Sequence, residues 1–404
     1  MKKILFLGAG FLQGFVISRA HEMGYYALVE DGNPGAVSFN DGDEAINANI
    51  FDMEISLAIA KEHAIDGVMA PATDTGALTA AYIADQLNLP GISYPAARRI
   101  RNKFEVRSLF HLNKVDDMTQ FHEVNSLDEA LAIKNQIQFP VIIKPTDGQG
   151  SRATYRADNT DQFIEYCQIA LENSYVGKAF IEDFIVGKEY GVESFVVNHQ
   201  VYILGVMEKL MTTPPDYAEL GHRLPSGLSS LVENKIKASV TRAIDVLEIS
   251  DGSVNMDILL AASGDVYIID VGARMGGNLI GTHIIPSATG YDYVGNAIRL
   301  AAGDPVDLPE FNGMVKRVAT RIMALDSGTI SHLPPIERIA EETDSTIFFN
   351  KKVGEEINLY HTNHDSCGFI VGIGDKIEVV DRQAAVALTR VNQTVGRILN
   401  NDRQ

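Results

Sequence analysis

Two aspartates occupy positions in apolar segments where core residues are expected. Asp257 lies in the segment 254–260 and Asp270 lies in the segment 266–274, with a short polar turn between the segments. This pattern predicts a β-hairpin in which the two carboxylates point into one space. Carboxylate oxygens are the ligands that Mg²⁺ prefers, and the planar guanidinium of Arg274 can hold an anion in a fork. The three side chains therefore predict a site for magnesium and phosphate.

A lysine ends the apolar segment 139–145 and precedes a glycine-containing loop, 147–151. Burying the ammonium group of Lys144 is costly unless it meets an anion. The loop offers backbone N–H groups, and its glycines let the main chain approach a ligand closely. These features favour a phosphate cradle, although not of the Walker A type, since no G-x-x-x-x-G-K-[ST] pattern occurs. A solvated hairpin turn with a surface lysine is the alternative.

A second lysine, Lys103, stands at the start of a predicted helix. A cation there meets the unfavourable end of the helix dipole. A phosphate in front of the helix would reverse this energy, whereas without one Lys103 is an ordinary structural residue.

The apolar segment 180–186 breaks at Gly187, and Glu189 follows. A connection of this kind between two subdomains can present backbone N–H and C=O groups to the edge of an adenine. The carboxylate of Glu189 can then accept hydrogen bonds from ribose hydroxyls. On this segment alone, an ordinary strand with solvent-facing acids is the favoured interpretation.

Residues 1 to about 95 alternate strand-like and helix-like segments. Such βαβ alternation predicts an open parallel sheet with helices on both faces. The strands are expected at 3–8, 25–30, 44–48 and 66–70, with 90–93 as a further candidate, and the helices at 11–23, 53–64 and 75–88.

The rest of the chain predicts mixed α+β structure. The segment 210–228 is rich in proline and glycine without periodicity, which predicts a long loop. From about residue 313 the pattern predicts a small β-rich domain that ends in a helix at 383–400. Further helices are expected at 95–113, 126–137, 158–172, 229–247 and 291–302, and further strands at 139–145, 153–156, 178–186, 189–197 and 200–209.

The composition excludes several classes of protein. The chain has 404 residues, of which 53 are acidic and 34 basic, so that its net charge is −19. This charge argues against nucleic acid or an anionic membrane as a partner, since both require basic patches. Two cysteines, Cys167 and Cys367, are too few for a disulfide framework or a structural zinc site. With no cleavable leader pattern and no apolar run of about 18 residues, the expected location is the cytoplasm.

In their order and spacing, these segments resemble the ATP-grasp superfamily across nearly the whole chain. The resemblance implies an N-terminal α/β domain at 1–98, a two-subdomain ATP-grasp domain at 99–312 and a small β-rich domain at 313–404. The nucleotide subdomain would cover about 115–182. The resemblance also implies an ATP-dependent carboxylate–amine ligase that uses ATP and Mg²⁺, or Mn²⁺, on small-molecule carboxylate and amine substrates. A homodimer is the usual expectation for the family.

The resemblance assigns roles to individual residues. Lys103 and Lys144 would hold the ATP phosphates, and Asp257 and Asp270 would ligate Mg²⁺. Arg274, with backbone N–H groups of the glycines after it, would hold the substrate carboxylate, the acyl phosphate or the tetrahedral intermediate. The phosphate loop would consist of Gly148, Gln149, Gly150 and Ser151, the adenine contacts of Glu182, Asp183, Phe184 and Ile185, and the ribose contact of Glu189.

The predicted metal site departs from the usual superfamily pattern. The usual second strand reads Glu-x-Asn-x-Arg, whereas this chain has Asp270, Gly272 and Arg274. Gly272 has no side-chain oxygen for a metal, and aspartate also replaces glutamate at Asp257. These departures leave open whether one or two metal ions bind, and whether the chain is a catalytically weak regulatory subunit that binds ATP.

The segment 217–225 resembles the Glu-x-x-His-x-x-Pro segment of L-amino-acid ligases, with Glu219 and His222 as the acid and the histidine. In that subgroup the two residues lie in the dipeptide site beside the metal. His222 also stands in a predicted loop rather than on an apolar face, which disfavours a packing role, although a simple loop cap is an alternative for the pair. The resemblance therefore favours peptide formation. A purine-pathway or carboxylase-type enzyme that activates formate or bicarbonate is the alternative function.

One motif fits another class of enzyme. Gly8, Gly10 and Gly14 follow a strand and precede a helix, and Glu30 and Asp31 lie about 20 residues further on. This arrangement resembles a dinucleotide fingerprint and would suit a dehydrogenase. Open α/β domains use the same glycines for a tight turn and for close helix packing, so the structural role is favoured.

Overall fold

The computed structural model describes residues 1–117, 119–148, 153–213, 216–310 and 313–398. The β-strands are β1 (Lys3–Leu7), β2 (Tyr26–Asp31), β3 (Glu44–Asn47), β4 (Gly67–Met69), β5 (Phe121–Val124), β6 (Val141–Pro145), β7 (Tyr155–Ala157), β8 (Ala179–Asp183), β9 (Gly187–Val197), β10 (Gln200–Met211), β11 (Glu219–Leu224), β12 (Gly252–Ala261), β13 (Val266–Gly272), β14 (Arg317–Ile322), β15 (Gly328–His332), β16 (Ser345–Phe349), β17 (Glu356–Ile357), β18 (Gly368–Gly374) and β19 (Gly396–Ile398). The α-helices are α1 (Phe11–Glu22), α2 (Met53–His63), α3 (Asp74–Leu87), α4 (Tyr94–Ile100), α5 (Lys103–Asn113), α6 (Leu127–Ile133), α7 (Thr160–Asn173), α8 (Ser230–Val246), α9 (Ile285–Thr289), α10 (Tyr293–Ala301), α11 (Ile336–Thr343) and α12 (Ile377–Thr394). This order confirms the predicted fold class, an α/β N-terminal part followed by α+β structure.

The N-terminal part is a four-stranded parallel sheet with the order β3-β2-β1-β4. Residues 4–7 of β1 have no exposed surface, because α1 packs on one face of the sheet while α2 and α3 pack on the other. The side chains of Asp52 and Thr73 cap the first turns of α2 and α3. The open parallel sheet that the alternation predicted is therefore confirmed.

Two local predictions in this region are wrong. Residues 90–92 form bends rather than a strand, and Ser93 caps α4. The single helix expected at 95–113 is divided into α4 and α5. The division arises because the side chain of Asn102 accepts a hydrogen bond from the backbone N–H of Glu105 and so begins a new helix.

A four-stranded antiparallel sheet with the order β5-β8-β6-β7 follows, and α6 and α7 pack against it. In this sheet Ile142 of β6 lies opposite Glu182 of β8. Lys144 is two residues further along β6, so it lies on the same face as Glu182. The sheet therefore brings a lysine and a glutamate from separate parts of the chain together.

The largest sheet has eight antiparallel strands in the order β13-β12-β9-β10-β11-β14-β18-β16. One face of β9 and β12 is apolar and packs against α8. The other face carries several polar side chains, because side chains alternate along each strand. The polar face carries Glu189, Gly191 and Glu193 from β9, and Asn255 and Asp257 from β12.

Strand β11 lies in the segment 210–228, for which the sequence predicted a loop. It pairs with β10 on one side and with β14 on the other. Its sequence has no apolar–polar alternation because both faces of the strand carry polar groups. His222 is opposite Lys209, whereas Arg223 points the other way and binds Glu208 and Asp381. The loop prediction was therefore wrong for β11, and His222 is a strand residue.

The C-terminal strands divide between two sheets. β14, β18 and β16 extend the large sheet, whereas β15, β17 and β19 form a small three-stranded sheet. The final helix, α12, begins at Ile377 and ends at Thr394, so the prediction of 383–400 placed both ends too late. Within the described ranges, no helix is both long and apolar enough to cross a lipid bilayer.

Candidate active site

Asp257 and Asp270 lie directly opposite each other in the β12–β13 hairpin. Asp257 is 2.9 Å from the Nζ of Lys209, and Asp270 is 3.5 Å from the Nζ of Lys103. Burial raises the pKa of Asp257 to about 6, against the opposing effect of Lys209. Within the part of the chain that the structure describes, no three His, Cys, Asp or Glu side chains form a metal cage. Two carboxylates fit an ion such as Mg²⁺ that takes its other ligands from phosphate and water.

Lys209, on β10, is the centre of an acid cluster that the sequence analysis missed. Its Nζ lies 2.7 Å from Glu219, 2.9 Å from Asp257 and 3.3 Å from Glu189, and the side chain is 3% exposed. Burial alone would raise the pKa of Glu219, but the neighbouring ammonium lowers it to about 2. The four side chains come from four adjacent strands, so only the strand register brings them together.

His222 is buried in β11 beside this cluster, with 1% of its surface exposed. Its backbone N–H donates to the hydroxyl of Thr320 at 3.0 Å. Neither ring nitrogen has a hydrogen-bond partner among the described residues. Burial lowers the pKa of His222 to about 4, so the ring is neutral at pH 7. Unpartnered buried nitrogens are uncommon in folded proteins, so His222 is a candidate for contact with a bound polar group.

Glu219 is held by groups from three parts of the chain. In addition to Lys209, its carboxylate accepts hydrogen bonds from the side chains of Asn278 and, at 3.4 Å, Asn363. The hydroxyl of Tyr360 donates to its backbone carbonyl at 2.5 Å. Tyr360 and Asn363 belong to the C-terminal part, which the sequence analysis did not connect with the site. That part therefore forms one wall of the candidate site.

Lys144 belongs to a second buried cluster. Its Nζ is 2.7 Å from one carboxylate oxygen of Glu182, and Arg107 is 3.0 Å from the other. Arg107 also lies 3.1 Å from Asp116 and donates to the carbonyl of Ile268 at 2.9 Å. Burial alone would raise the pKa of Glu182, but the two cations lower it. The Glu182 carboxylate is thus used within the protein, and its backbone lies in β8 between β5 and β6.

Lys103 begins α5 beside the predicted phosphate loop. Its backbone N–H donates to the carbonyl of Thr146 at 2.9 Å, and its Nζ donates to the carbonyl of Gly148 at 2.7 Å. A small cavity is lined by Lys103, Lys144 and Asp270. The structure therefore brings both predicted phosphate lysines and one predicted metal ligand to one space. The other predicted loop residues, Gln149, Gly150 and Ser151, lie outside the described residues.

The predicted adenine segment continues from β8 through Asp183, Phe184 and Ile185. The backbone N–H groups of Asp183 and Phe184 donate to the carbonyl oxygens of Gln120 and Pro140, at 3.1 and 3.0 Å. Because these two donors are already used, an adenine contact by Asp183 or Phe184 would have to involve a carbonyl group.

Arg274 is bound to Asp74, the first residue of α3. Its Nη2 donates to one carboxylate oxygen at 3.0 Å, and its Nε lies 2.8 Å from the other. Burial alone would lower the pKa of Arg274, but the Asp74 carboxylate raises it. The guanidinium is therefore charged, and an anionic substrate has to share it with Asp74. No local sequence pattern reveals this pairing, because Asp74 lies 200 positions away.

Glu193 holds the loop that follows β13. Its carboxylate accepts hydrogen bonds from the hydroxyl of Tyr293 at 2.6 Å, the side chain of Asn255 at 2.9 Å and the backbone N–H of Gly276 at 3.0 Å. Burial raises its pKa to about 7, although these donors lower it. Since the Gly276 N–H is used here, it is not free for an oxyanion, and the N–H of Gly277 is the next candidate.

The N-terminal glycine turn uses its backbone groups within the chain. The N–H of Ala9 donates to the carboxylate of Asp31, and the N–H of Gly8 donates to the carbonyl of Glu30, both at 2.8 Å. The carbonyl of Ala9 accepts from the N–H of Ser38 at 2.9 Å. These bonds support the structural role of the turn rather than a dinucleotide site.

Comparisons with known proteins agree with this architecture. Residues 137–283 match the family model described as an ATP-grasp domain. Among solved structures, the chain is similar to an L-amino acid ligase from Bacillus licheniformis, with 22% identity, a TM-score of 0.85 and 99% of each chain covered. It is also similar to a phosphoribosylglycinamide synthetase from Anaerococcus prevotii, with 23% identity, a TM-score of 0.78, and 99% of this chain and 100% of that chain covered. These identities support a common fold.

The chain is also similar to a third solved structure and to one curated relative. N5-carboxyaminoimidazole ribonucleotide synthetase from Thermotoga maritima has 19% identity and a TM-score of 0.73, with 99% of this chain and 100% of that chain covered. An uncharacterized protein of Sinorhizobium fredii, y4rH, is 23% identical over 286 residues, which are 70% of this chain and 58% of the relative. The match therefore spans less than two thirds of that relative's length.

Proposed function

We propose that this chain, which belongs to the ATP-grasp superfamily, is an ADP-forming ligase that joins a carboxylate to an amine, with amino acids as the substrate class. One observation carries the proposal. The acid and histidine of the L-amino-acid-ligase-like segment, Glu219 and His222, lie beside the metal candidate Asp257, and Lys209 contacts both carboxylates. A substrate bound there would lie next to the ATP phosphates.

The two lysines near the small cavity would bind the ATP phosphates. In the structure Lys103 lies near Asp270, and Lys144 is paired with Glu182. A triphosphate would compete for both ammonium groups, because phosphate carries more charge than a single carboxylate. The ribose would lie near Glu189, whose carboxylate is 3.3 Å from the Nζ of Lys209 in the structure.

Asp257 and Asp270 would hold Mg²⁺, or Mn²⁺, with phosphate oxygens and water as the remaining ligands. The ion would supply charge neutralisation for the transferred phosphoryl group. Gly272 adds no ligand, so the protein side of the metal site would consist of these two carboxylates.

The reaction would proceed in two steps. A carboxylate oxygen of the first substrate attacks the γ-phosphorus of ATP, the bond to the bridging oxygen breaks, and ADP leaves with that electron pair. The amine nitrogen of the second substrate then attacks the acyl carbon, the C–O bond to phosphate breaks, and the nitrogen loses one proton. The products are an amide, ADP and phosphate. Catalysis of this kind relies mainly on positioning and on charge neutralisation.

Arg274 and His222 would act on the reacting groups. The guanidinium of Arg274 would neutralise charge on the acyl phosphate and on the tetrahedral intermediate. His222 offers two buried nitrogens without partners among the described residues, so it can form a hydrogen bond to a substrate. With its pKa at about 4, His222 would act as a neutral hydrogen-bonding group rather than as a cation.

An ADP-release screen with pairs of amino acids tests the proposal. We expect release that requires two substrates and that disappears in the Asp270→Asn variant. Parallel reactions with bicarbonate or formate in place of the carboxylate test the carboxylase-type and purine-pathway alternative. Nucleotide binding without turnover on any pair would contradict the ligase proposal and would favour the regulatory subunit.

The homodimer and the cytoplasmic location are further proposals from the family resemblance. Light scattering after size exclusion measures the first, and fractionation of the source cells measures the second. Neither affects the chemistry proposed for the site.

A further inference from the structure

We infer that Glu193 is a positioning residue whose buried carboxylate fixes the loop that carries Arg274 and Gly277. The inference rests on the proposed function, because these two residues supply the groups that would hold the oxyanion. Neither the sequence pattern nor the family resemblance suggests a role for Glu193.

The Glu193 carboxylate binds the backbone of this loop through both of its oxygens. The N–H of Gly276 lies 3.0 Å from Oε1 and 3.2 Å from Oε2. A Cβ atom on residue 276 would lie 2.7 Å from Oε2 and 3.0 Å from the side-chain nitrogen of Asn255. Only glycine therefore lets the main chain approach the carboxylate closely enough for this bond.

Two further donors fix the orientation of the carboxylate. The hydroxyl of Tyr293, on α10, donates to Oε1 at 2.6 Å, and the side chain of Asn255, on β12, donates to Oε2 at 2.9 Å. Glu193 itself has no exposed surface. With a donor on each oxygen and no contact with solvent, the carboxylate is held in one orientation. It therefore connects β9, β12 and α10 with the loop.

Stability alone does not explain a carboxylate at this position. The three donors to Glu193 are neutral, so the hydration that its charge loses on burial is not replaced by a contact with a cation. An apolar side chain of similar volume would fill the same place without that cost. Local conflicts of this kind are expected where a residue serves function, and here the carboxylate serves to hold the loop.

The loop carries the groups that would act on the acyl phosphate. Arg274 lies two residues before Gly276, and the N–H of Gly277 belongs to the next peptide unit. A shift of the Gly276 backbone would therefore move both groups. Because a misplacement of about 1 Å can cost about 100-fold in rate, the position of this backbone matters for catalysis.

The loop also has anchors in the N-terminal part. The carbonyl of Met275 accepts from the N–H of Ala72 at 3.3 Å, and Arg274 binds Asp74. Glu193 ties the loop instead to the large sheet, beside the strand that carries Asp257. Loss of the carboxylate would thus let the loop shift relative to the metal candidate while its contacts with the N-terminal part persist.

Steady-state kinetics of ADP release test the inference. Glu193→Met removes both acceptors, and we expect kcat to fall by about 10–100-fold with the KM for ATP within about twofold, because the loop acts on the transition state. Glu193→Gln keeps an amide oxygen that can replace Oε1 and accept from both Tyr293 and Gly276. Its kcat should therefore fall by at most about fivefold.

Asn296→Ala is the matched control for loss of a buried hydrogen bond. Asn296 lies on the same helix as Tyr293, is 1% exposed and accepts from the backbone N–H of Asp307 at 2.8 Å. This variant should lower the Tm and leave kcat unchanged. A fall in kcat as large as that of Glu193→Met would show general damage and would overturn the inference.

Hydrogen exchange of the segment 274–279, followed by mass spectrometry, gives a measurement that does not depend on turnover. Exchange should be at least about tenfold faster in Glu193→Met than in the wild type, because the Gly276 N–H loses its acceptors. Asn296→Ala should exchange like the wild type. Wild-type exchange or wild-type kcat in a folded Glu193→Met protein would overturn the inference.

Tyr293→Phe keeps the test decisive if Glu193→Met does not fold. It removes one donor to the carboxylate and keeps the ring, so kcat should fall by about 2–10-fold with the KM for ATP unchanged. Wild-type kcat in this variant would then overturn the inference. A wild type that releases no ADP with any substrate pair would instead contradict the proposed function, whereas faster exchange in Tyr293→Phe would still support the hold of Glu193 on the loop.

Discussion

The two buried lysines of the site, Lys144 and Lys209, differ in the balance of charge around them. Lys144 shares its cluster with one further cation, Arg107, and two carboxylates, so that the charges balance. Lys209 is the single ammonium group among three carboxylates. The first cluster joins β6, β8, α5 and β13, and the second joins four strands of the large sheet.

The difference indicates different roles for two buried lysines of the same candidate site. A balanced cluster satisfies its own charges, and it stabilises the position of the elements around it. An acid-rich cluster keeps unbalanced negative charge in a partly buried place, which is costly unless a ligand compensates for it. We therefore expect loss of Arg107 from the Lys144 cluster to affect mainly stability, and changes around Lys209 to affect mainly ligand binding and turnover.

The largest expected effect concerns Asp270, which lies opposite Asp257 at the border of the acid-rich cluster. Asp270→Asn removes one of two candidate metal ligands, and we expect ADP release to fall by at least about 10³-fold while the circular dichroism spectrum stays unchanged. Asp265→Asn, in the exposed turn of the same hairpin, is the matched control and should keep wild-type turnover. Wild-type ADP release by Asp270→Asn would contradict a role for Asp270 as a metal ligand.

A substitution in the charge-balanced Lys144 cluster should lower the free energy of unfolding. Arg107→Met leaves Glu182 and Asp116 with one cation between them and leaves the Ile268 carbonyl unpaired. We expect the free energy of unfolding in urea to fall by about 3–5 kcal/mol. Arg338→Met, on an exposed helix face, removes an ion pair with Glu342 and should change the same quantity by less than about 1 kcal/mol. Equal effects of the two variants would contradict a structural role for the cluster.

Glu193 differs from both lysine clusters, because the hydrogen-bond donors to its buried carboxyl group are neutral. Its folded pKa is about 7, above its ordinary value of 4.5, so between these pH values the folded protein keeps a proton that the unfolded chain has lost. This group therefore lowers the free energy of unfolding as the pH rises from 4.5 to 7, by at most about 3 kcal/mol.

Urea unfolding at several pH values measures this contribution as the difference between wild type and Glu193→Gln. His222 has the opposite sign, since its folded pKa lies near 4 and its stabilisation is lost as the pH falls below 6.5. Because both proteins contain His222, its contribution cancels in the difference. Identical pH profiles of the two proteins would show that Glu193 does not titrate in this range.

The smallest expected effect concerns the wall from the C-terminal part. Asn363→Ala removes a long hydrogen bond to Glu219, so the KM of one substrate should rise by about 2–10-fold with kcat within twofold. His364→Ala changes the next residue and should leave both constants unchanged. A fall in kcat as large as that of Asp270→Asn would mean that Asn363 acts in catalysis rather than in binding.

The elements of the fold were predictable where periodicity is strong. The alternation of β1, α1 and β2, and the apolar strands around Asp257 and Asp270, carry their pattern locally. Strand β11 was not predictable in this way, because its residues Glu219, His222 and Arg223 are polar on both faces. The division between α4 and α5 depends on one cap, Asn102, which a helical period does not reveal.

The candidate site was predictable only in part, for a related reason. Types and spacing pointed to Asp257, Asp270, Lys103 and Lys144, since each stands in a distinctive local context. Lys209 and Glu193 stand in strands without such a context, and their partners come from neighbouring strands. Strand register decides those contacts, and register is a property of the folded sheet rather than of any one segment.

The pairing of β14 with β11 limits the modularity of the molecule. Removal of the C-terminal part would strip β11 of one neighbour and expose a row of unpaired backbone donors and acceptors, which invites self-association. Replacement of the C-terminal part by another domain would therefore require a new strand that pairs with β11. Selectivity at the Tyr360–Asn363 wall would therefore evolve through single substitutions within the existing sheet.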